Sequence, residues 1–175
     1  VGFQFNRVFV QHEIETPMKP SFPIAAGFVV IGTITLAANC DTLVVAQDGS
    51  ADFETIGTAI EAAVEGDVIF ISAGTYLESD LSVSVELTIE GELDENLLPA
   101  VTIDGQGQQI LYFTSTSSLS VAKNLVLTGA DETACFCFHS SPTFVNCSFT
   151  DNGADEPVEF TFGGAMYNLN GAPVF

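Results

Sequence analysis

The feature that most constrains this chain is an internal repeat. The segment 122–127 aligns with the segment 144–149, and this alignment places Asn124 opposite Asn146. The apolar residues one and three positions after each asparagine then fall in phase. Repetition at such a short period is typical of stacked repeat architectures, in which each unit buries its apolar face against the next.

A second alignment has a longer offset. It matches the segment 134–144 with the segment 165–175 and places Phe136 opposite Tyr167. The shorter period, combined with one longer loop, predicts a three-sided coil in which each turn supplies three short strands. Equivalent strands of adjacent turns would then pair in parallel, and insertions would lie at the corners.

The local pattern agrees with many short strands and one helix. Residues 56–64 carry apolar side chains at a spacing of four, with Asp52 or Thr55 as the predicted N-cap and Gly66 as the predicted stop. We expect this helix to cover the open first turn of the coil. Short apolar stretches separated by turn residues predict strands within 43–46, 68–71, 81–85, 87–89, 101–103, 110–113, 119–121, 125–127, 134–138 and 144–149.

The predicted corners favour residues that adopt a positive φ at low cost. Asparagine does so, and its side chain can also bond to the same position one turn away. We therefore predict that Asn124 and Asn146 form a corner ladder. The chain ends at Phe175 inside a repeat, which predicts that the β-helix, residues 39–175, is truncated at its C-terminal end.

The beginning of the chain is typical of an export signal. Lys19 precedes an apolar run over 22–36 and small residues follow, so residues 18–38 are predicted to be a signal peptide cleaved near Ala38. Residues 1–17 are then an upstream or leader segment. The apolar run is short for a transmembrane helix, and we expect no membrane insertion beyond the signal segment.

The charge balance is strongly acidic. The chain has 23 acidic and three basic residues, a formal net charge of −20, and Lys123 is the only basic residue after Ala38. Such a surface repels nucleic acid, which we exclude as a partner. A saline habitat, bound Ca²⁺ and a merely solvated acidic surface all explain the composition, and the last is the simplest.

Four cysteines, Cys40, Cys135, Cys137 and Cys147, are present. Export permits disulfides. Cys135 and Cys137 are two positions apart, so on one strand they point to the same face and do not easily bond each other. We predict buried thiols, and a bridge from Cys147 stays open.

Two stretches resemble known families. Residues 48–56 and 67–78 resemble the opening of pectin-lyase-like β-helix proteins, pectin methylesterases among them. Residues 141–152 and 163–168 are similar to the polymorphic outer-membrane-protein repeat, with an expanded loop at 154–162. Together these resemblances cover about 43–175. They imply an all-β, right-handed, three-sided parallel β-helix with a short N-terminal capping helix. They imply function only loosely, because the scaffold carries enzymes and adhesins.

The catalytic sets of the enzymes on this scaffold are incomplete here. A pectin-type esterase needs an arginine, and none follows Arg7. A lyase needs a basic residue as proton acceptor, for which Lys123 is the one candidate. A hydrolase needs clustered carboxylates. The remaining candidates are scattered or are better explained as corner and loop residues: Asp104, Asp131, Asp151, His139 and the segment 159–163.

Two loops have oxygen ligands that suit Ca²⁺. Neither has the full spacing of a known calcium loop, and turn chemistry is the simpler explanation of both. Asp48, Ser50 and Asp52 alternate in the first. The second contains the metal candidates Asp151, Asn152, Asp155 and Glu156.

The leading prediction is an exported cell-surface, outer-membrane or extracellular β-helix repeat protein without catalytic activity. It would act as a monomer that binds an extracellular glycan or a cell-surface partner. The alternative is a polysaccharide-acting enzyme of the pectin lyase, esterase or hydrolase kind, with its active site beyond Phe175. The sequence leaves open whether the protein is an enzyme.

Overall fold

The structure is a computed structural model that describes residues 40–153 and 164–175. The predicted upstream segment 1–17 and signal peptide 18–38 lie outside the described residues, as does the predicted expanded loop at 154–162.

The described residues form thirteen short strands in three sheets, together with one helix. Alternating burial and a high content of β-branched and aromatic residues suit such half-buried strands. The first sheet has the order β1 (Thr42–Val45), β2 (Val68–Ile71), β5 (Thr88–Gly91), β8 (Val121–Lys123) and β11 (Thr143–Val145). The second contains β3 (Gly74–Leu77), β6 (Val101–Asp104), β9 (Leu125–Thr128) and β12 (Ser148–Thr150), and the third contains β4 (Leu81–Val83), β7 (Leu111–Thr114), β10 (Cys135–Phe138) and β13 (Met166–Leu169).

Every strand pairing within these sheets is parallel. From β2 onward the chain visits the first, second and third sheets in the same order four times. The resulting repeats are β2–β4, β5–β7, β8–β10 and β11–β13. The architecture is mostly β with parallel sheets and one short helix, and it is consistent with an all-β parallel solenoid.

The strand register confirms both sequence alignments. Val121 pairs with Thr143, as the alignment of 122–127 with 144–149 requires. Phe136 pairs with Tyr167, as the alignment with the longer offset requires. The longer offset arises in the connection between β12 and β13, where the chain takes extra residues before it rejoins the third sheet.

The core lies between the sheets and is built from the inward side chains of successive repeats. Strand residues alternate between buried and half-buried along β6, β7, β9 and β10. Full burial of one such aliphatic side chain contributes about 1.5–3 kcal/mol. The largest completely buried residues are Tyr76, Phe113, Ile56, Ile69, Ile71, Leu87, Ile89, Ile103, Ile110, Leu111, Leu125 and Leu127.

The helix α1 (Ile56–Ala62) packs against β1, β2 and β4. The N-cap is Thr55, one of the two residues predicted for this position. The Thr55 side chain accepts a hydrogen bond from Thr58 N. Asp52 instead accepts from Val44 N. The helix ends at Ala62, slightly before the predicted end at position 64.

The strand prediction missed β3 and β13, and the strand predicted at 119–121 overlaps β8 only at Val121. In β3 only Tyr76 is buried, so the period-two signal is short. The predicted strand 144–149 is wrong as a single unit, because Asn146 adopts a φ of 51° and separates β11 from β12. Asparagine tolerates this left-handed conformation better than most residues.

Candidate ligand groove beside the third sheet

The connections from the second sheet to the third lie side by side. They join β3 to β4, β6 to β7 and β9 to β10. Asp80 N donates to Gln109 O at 2.8 Å, and Gly107 N donates to Gly129 O at 2.6 Å. These backbone bonds link each connection to the next, so their side chains form a continuous surface.

A depression of about 350 Å³ runs across these connections. Gly107 is one of its lining residues, with a φ of 84° and a backbone that lies close to the Asp131 side chain. A Cβ atom at position 107 would lie 3.1 Å from Asp131 Oδ2, so a larger residue would be both strained and crowded. The depression is lined by Asp80, Gly107, Gln108, Gln109, Asp131, Glu132 and Thr133.

The polar groups of this depression differ in how firmly they are held. The Gln109 Nε2 atom donates to Leu111 O at 3.2 Å, and the buried Thr133 hydroxyl donates to Cys135 O at 3.3 Å. By contrast, Asp80, Asp131 and Glu132 are exposed. The depression therefore combines two anchored side chains with carboxylates that face solvent.

An aromatic stack lies next to the depression on the outer face of the third sheet. Tyr112, Phe136 and Tyr167 occupy equivalent positions in β7, β10 and β13. The ring centroids of Tyr112 and Phe136 are 5.3 Å apart with planes inclined by 14°, and those of Phe136 and Tyr167 are 5.2 Å apart and inclined by 5°. All three side chains are half-buried. The stack is an apolar strip along the sheet.

The strip and the depression are continuous. A second depression of about 200 Å³ is lined by Phe136 and Tyr167 together with Gln109, Glu132 and Thr133, and the last three also line the first depression. We call the combined surface the groove. It combines carboxylates and the amides of Gln108 and Gln109 with the aromatic rings of Phe136 and Tyr167.

The predicted metal candidates lie in the connection that follows β12. Both polar atoms of the Asn152 side chain are hydrogen-bonded to the backbone: Oδ1 accepts from Ala130 N at 3.0 Å, and Nδ2 donates to Leu127 O at 2.9 Å. Asp151 is exposed, while Asp155 and Glu156 lie outside the described residues. Within residues 40–153 and 164–175, no group of three His, Cys, Asp or Glu side chains is arranged to hold a metal.

The other predicted calcium loop uses its carboxylates in turns. Asp48 Oδ1 accepts hydrogen bonds from the backbone N and the hydroxyl of Ser50, and these bonds lower the pKa of Asp48 below its ordinary value. Asp52 is occupied with Val44 N at 3.1 Å. The Asp48 bonds are the turn chemistry that the sequence offered as the simpler explanation, whereas the Asp52 bond joins the loop to β1.

The two asparagines of the predicted ladder lie at equivalent corners of successive repeats. Asn146 Nδ2 donates to Asn124 Oδ1 at 3.0 Å. Their φ values are 51° and 59°. Each asparagine therefore adopts the left-handed corner conformation and also takes part in the hydrogen bond between the two repeats.

The candidates for catalysis are separated. Lys123 lies on the first sheet and forms an ion pair of 2.9 Å with Glu90. His139 is exposed at a corner, with a φ of 49° and its ring centroid 4.3 Å from that of Phe138. Asp104 accepts from Gln106 N at 2.9 Å. Of the scattered acids, Asp131 alone lies in the groove, and the segment 159–163 is outside the described residues.

The cysteines are free thiols in the described structure. Cys135 and Cys137 are completely buried, and their sulfur atoms are 3.9 Å apart. Burial, and next the hydrogen bond with Cys137, raise the pKa of Cys135 well above its ordinary value. That hydrogen bond lowers the pKa of Cys137. Burial also raises the pKa of Cys147.

Sequence reasoning did not identify the groove. The alignment with the longer offset did place Phe136 opposite Tyr167, but it did not extend to Tyr112 or assign the rings to the outer face. The signal was available in the aromatic residue at the second position of β7, β10 and β13. The polar residues before β7 and β10 carry no comparable pattern: the two connections have equal length, but Gly107, Gln108 and Gln109 stand where the next repeat has Asp131, Glu132 and Thr133.

Comparisons of this chain with protein-family models, with curated proteins and with solved structures gave no match. Among the described residues, no helix is both long enough and apolar enough to cross a membrane. The class of protein that the fold defines is thus a mostly β protein of parallel strands in stacked sheets.

Proposed function

We propose that the chain folds as a right-handed, three-sided β-helix of the pectin-lyase-like kind, with repeats of the polymorphic outer-membrane-protein type. The repeated visit to three parallel sheets supports three sides. Crossovers between parallel strands of one sheet are right-handed in about 98% of cases, which supports the handedness. The resemblances at 48–56 and 67–78, and those at 141–152 and 163–168, support the family.

On this scaffold we propose a protein without catalytic activity that is exported to the cell surface or the extracellular space and binds a glycan there. The supporting observation is the continuity between the aromatic stack and the polar depression. Sugars present apolar C–H faces and hydroxyl edges, so they bind where apolar surface adjoins hydrogen-bonding groups. Carboxylates accept hydrogen bonds from hydroxyl groups, and amides both donate and accept them.

The neighbourhood of Lys123 supports binding rather than catalysis. Its ammonium group is held by Glu90 on the first sheet, whereas the groove lies beside the third sheet. A lyase base must reach the proton that it removes. The rival enzyme, with catalytic residues beyond Phe175, is tested by assaying the complete protein for release of unsaturated uronates or methanol from pectin.

The glycan proposal is tested with the full chain and a panel of soluble oligosaccharides, with binding followed by calorimetry. Phe136→Ala and Phe136→Leu remove the central ring, and the second variant retains apolar bulk. Phe70→Ala is the matched control, because Phe70 is a half-buried aromatic on the outer face of the first sheet.

We expect at least one oligosaccharide of the panel to bind, and both Phe136 variants to weaken that binding while Phe70→Ala leaves it unchanged. Circular dichroism and urea unfolding of each variant show whether the fold is retained. Absence of binding across the panel would refute the proposal. Equal affinity of wild type and folded Phe136→Leu would place the binding site elsewhere.

A further inference from the structure

The groove has an uneven charge distribution. Asp80, Asp131 and Glu132 expose three carboxylates along its polar side. The one lysine of the described residues, Lys123, belongs to another sheet and is paired with Glu90. Among the described residues that line the groove, none is basic, and the chain as a whole carries a formal net charge of −20.

This charge selects among glycans. Carboxylates in one concave surface produce a negative potential that repels uronate and sulfate groups and attracts cations. An uncharged sugar gains only hydrogen bonds and apolar contact from the same surface. A sugar with a protonated amine gains charge-assisted hydrogen bonds in addition.

We propose that the groove binds a glycan whose hexosamine units carry free, protonated amino groups. This inference rests on the proposed glycan-binding function and specifies its ligand. The carboxylates of Asp131 and Glu132 accept hydrogen bonds from the ammonium groups. The aromatic strip contacts the apolar faces of the sugar rings.

The geometry of the strip suits a chain of sugars. Its rings repeat at 5.3 and 5.2 Å across three consecutive strands, close to the strand spacing of a β-sheet. A glycan that runs across the strands therefore meets one ring per repeat. The three half-buried rings stack on one another and supply apolar contact, and the carboxylates supply the electrostatic selection.

The test uses two ligands that differ in the charge of their amino groups. One is a β-1,4-linked glucosamine hexamer, and the other is the same hexamer with every amine acetylated. Because exposed ion pairs are individually weak, we expect the amine form to bind the full chain about five- to tenfold more tightly at low salt and mildly acidic pH, where the amines are protonated and the carboxylates are still ionised. That preference should shrink as salt screens the charges.

The variant Asp131→Asn/Glu132→Gln removes two charges from the groove and keeps the size of both side chains. It should bring the affinity ratio of the two hexamers close to one, whereas Glu65→Gln, an exposed acid away from the groove, should preserve it. Circular dichroism establishes that both variants are folded.

The outcomes separate this inference from the proposed function. Equal or tighter binding of the acetylated hexamer, or a preference for an oligogalacturonate, overturns the amino-glycan inference while glycan binding stands. Failure of every glycan to bind overturns both. An unchanged preference in the folded Asp131→Asn/Glu132→Gln variant overturns the assignment to this groove.

Discussion

Asn146 Nδ2 lies 3.0 Å from Asn124 Oδ1, and this hydrogen bond joins equivalent corners of two successive repeats. Both residues have a positive φ, which costs an ordinary L-residue about 1–2 kcal/mol. The same side chain that lowers this cost also ties one repeat to the next. At this corner, asparagine therefore has two roles: it adopts the positive φ, and it forms the hydrogen bond between successive repeats.

The first prediction concerns this corner. Asn146→Ala should lower the free energy of unfolding by about 1–2 kcal/mol, since it combines left-handed strain with loss of a hydrogen bond. Asn146→Gly should cost less than Asn146→Ala, because glycine adopts the conformation freely. Urea unfolding followed by circular dichroism measures both. Asn96→Ala is the control, at an exposed loop position that is absent from the residues of positive φ. An equal loss in Asn96→Ala and Asn146→Ala would contradict this explanation.

The sequence predicted the features of the fold that repeat. The spacing between Asn124 and Asn146 was visible because corner asparagines recur where the chain must adopt a positive φ. The strands β3 and β13 were missed for a physical reason: they are as long as most of the other strands, but neither has a continuous apolar run, since β3 begins with Gly74 and Thr75 and β13 contains Asn168. Tertiary stacking, not local propensity, defines them.

The groove was less predictable than the fold. Asp80, Gln109 and Glu132 are far apart in sequence and meet only because adjacent connections bond to each other through their backbones. The aromatic stack had a sequence signal in Phe136 and Tyr167. However, a repeat alignment shows equivalence and does not show which face of the strand is exposed.

The second prediction concerns the start of the helix α1. The Glu78 carboxylate accepts from Ile56 N at 2.8 Å and from Gly57 N at 2.9 Å. The first amides of a helix have no partner within the helix. Glu78→Ala should therefore cost about 1–2 kcal/mol of unfolding free energy, and Glu78→Gln should cost less because one acceptor oxygen remains.

The control for Glu78 is Glu61→Ala, on the exposed side of the same helix. Chemical denaturation of the three variants under identical conditions gives the comparison. If Glu61→Ala destabilises the protein as much as Glu78→Ala, the bonds to Ile56 and Gly57 do not stabilise the fold as inferred.

The third prediction concerns thiol reactivity. Cys135 and Cys137 are enclosed by the core, while Cys40 is exposed. Burial raises the pKa of Cys135, so this residue stays a protonated, unreactive thiol at neutral pH. Brief alkylation of the reduced native protein should modify Cys40 and spare Cys135 and Cys137, whereas urea should expose all four cysteines. Peptide mass spectrometry reads the result, and rapid native labelling of Cys135 would show that the core is open.

The fourth prediction concerns acid stability. Partial burial of Glu86 opposes its ionisation, but hydrogen bonds from Ser117 and Ser120 outweigh this effect and lower the pKa of Glu86. Ser117 N donates to Oε1 at 2.8 Å, and the Ser120 hydroxyl donates to Oε2 at 3.0 Å. A carboxylate with a lowered folded-state pKa stabilises the fold fully above its unfolded-state pKa, near ~4.3 for glutamate. That contribution is lost as the pH falls through the lower folded-state pKa.

Glu86→Gln tests this effect because glutamine keeps the shape of the side chain and does not titrate. We expect the variant to be less stable than the wild type at pH 7, and the difference to shrink steadily as the pH falls below about 4.3. The other carboxylates are shared by both proteins, so their titration largely cancels in the difference. The matched variant Glu65→Gln, at an exposed position, is the control for the effect of a Glu-to-Gln substitution itself. A difference between wild type and Glu86→Gln that is constant with pH would mean that the bonds to Ser117 and Ser120 do not favour the ionised form.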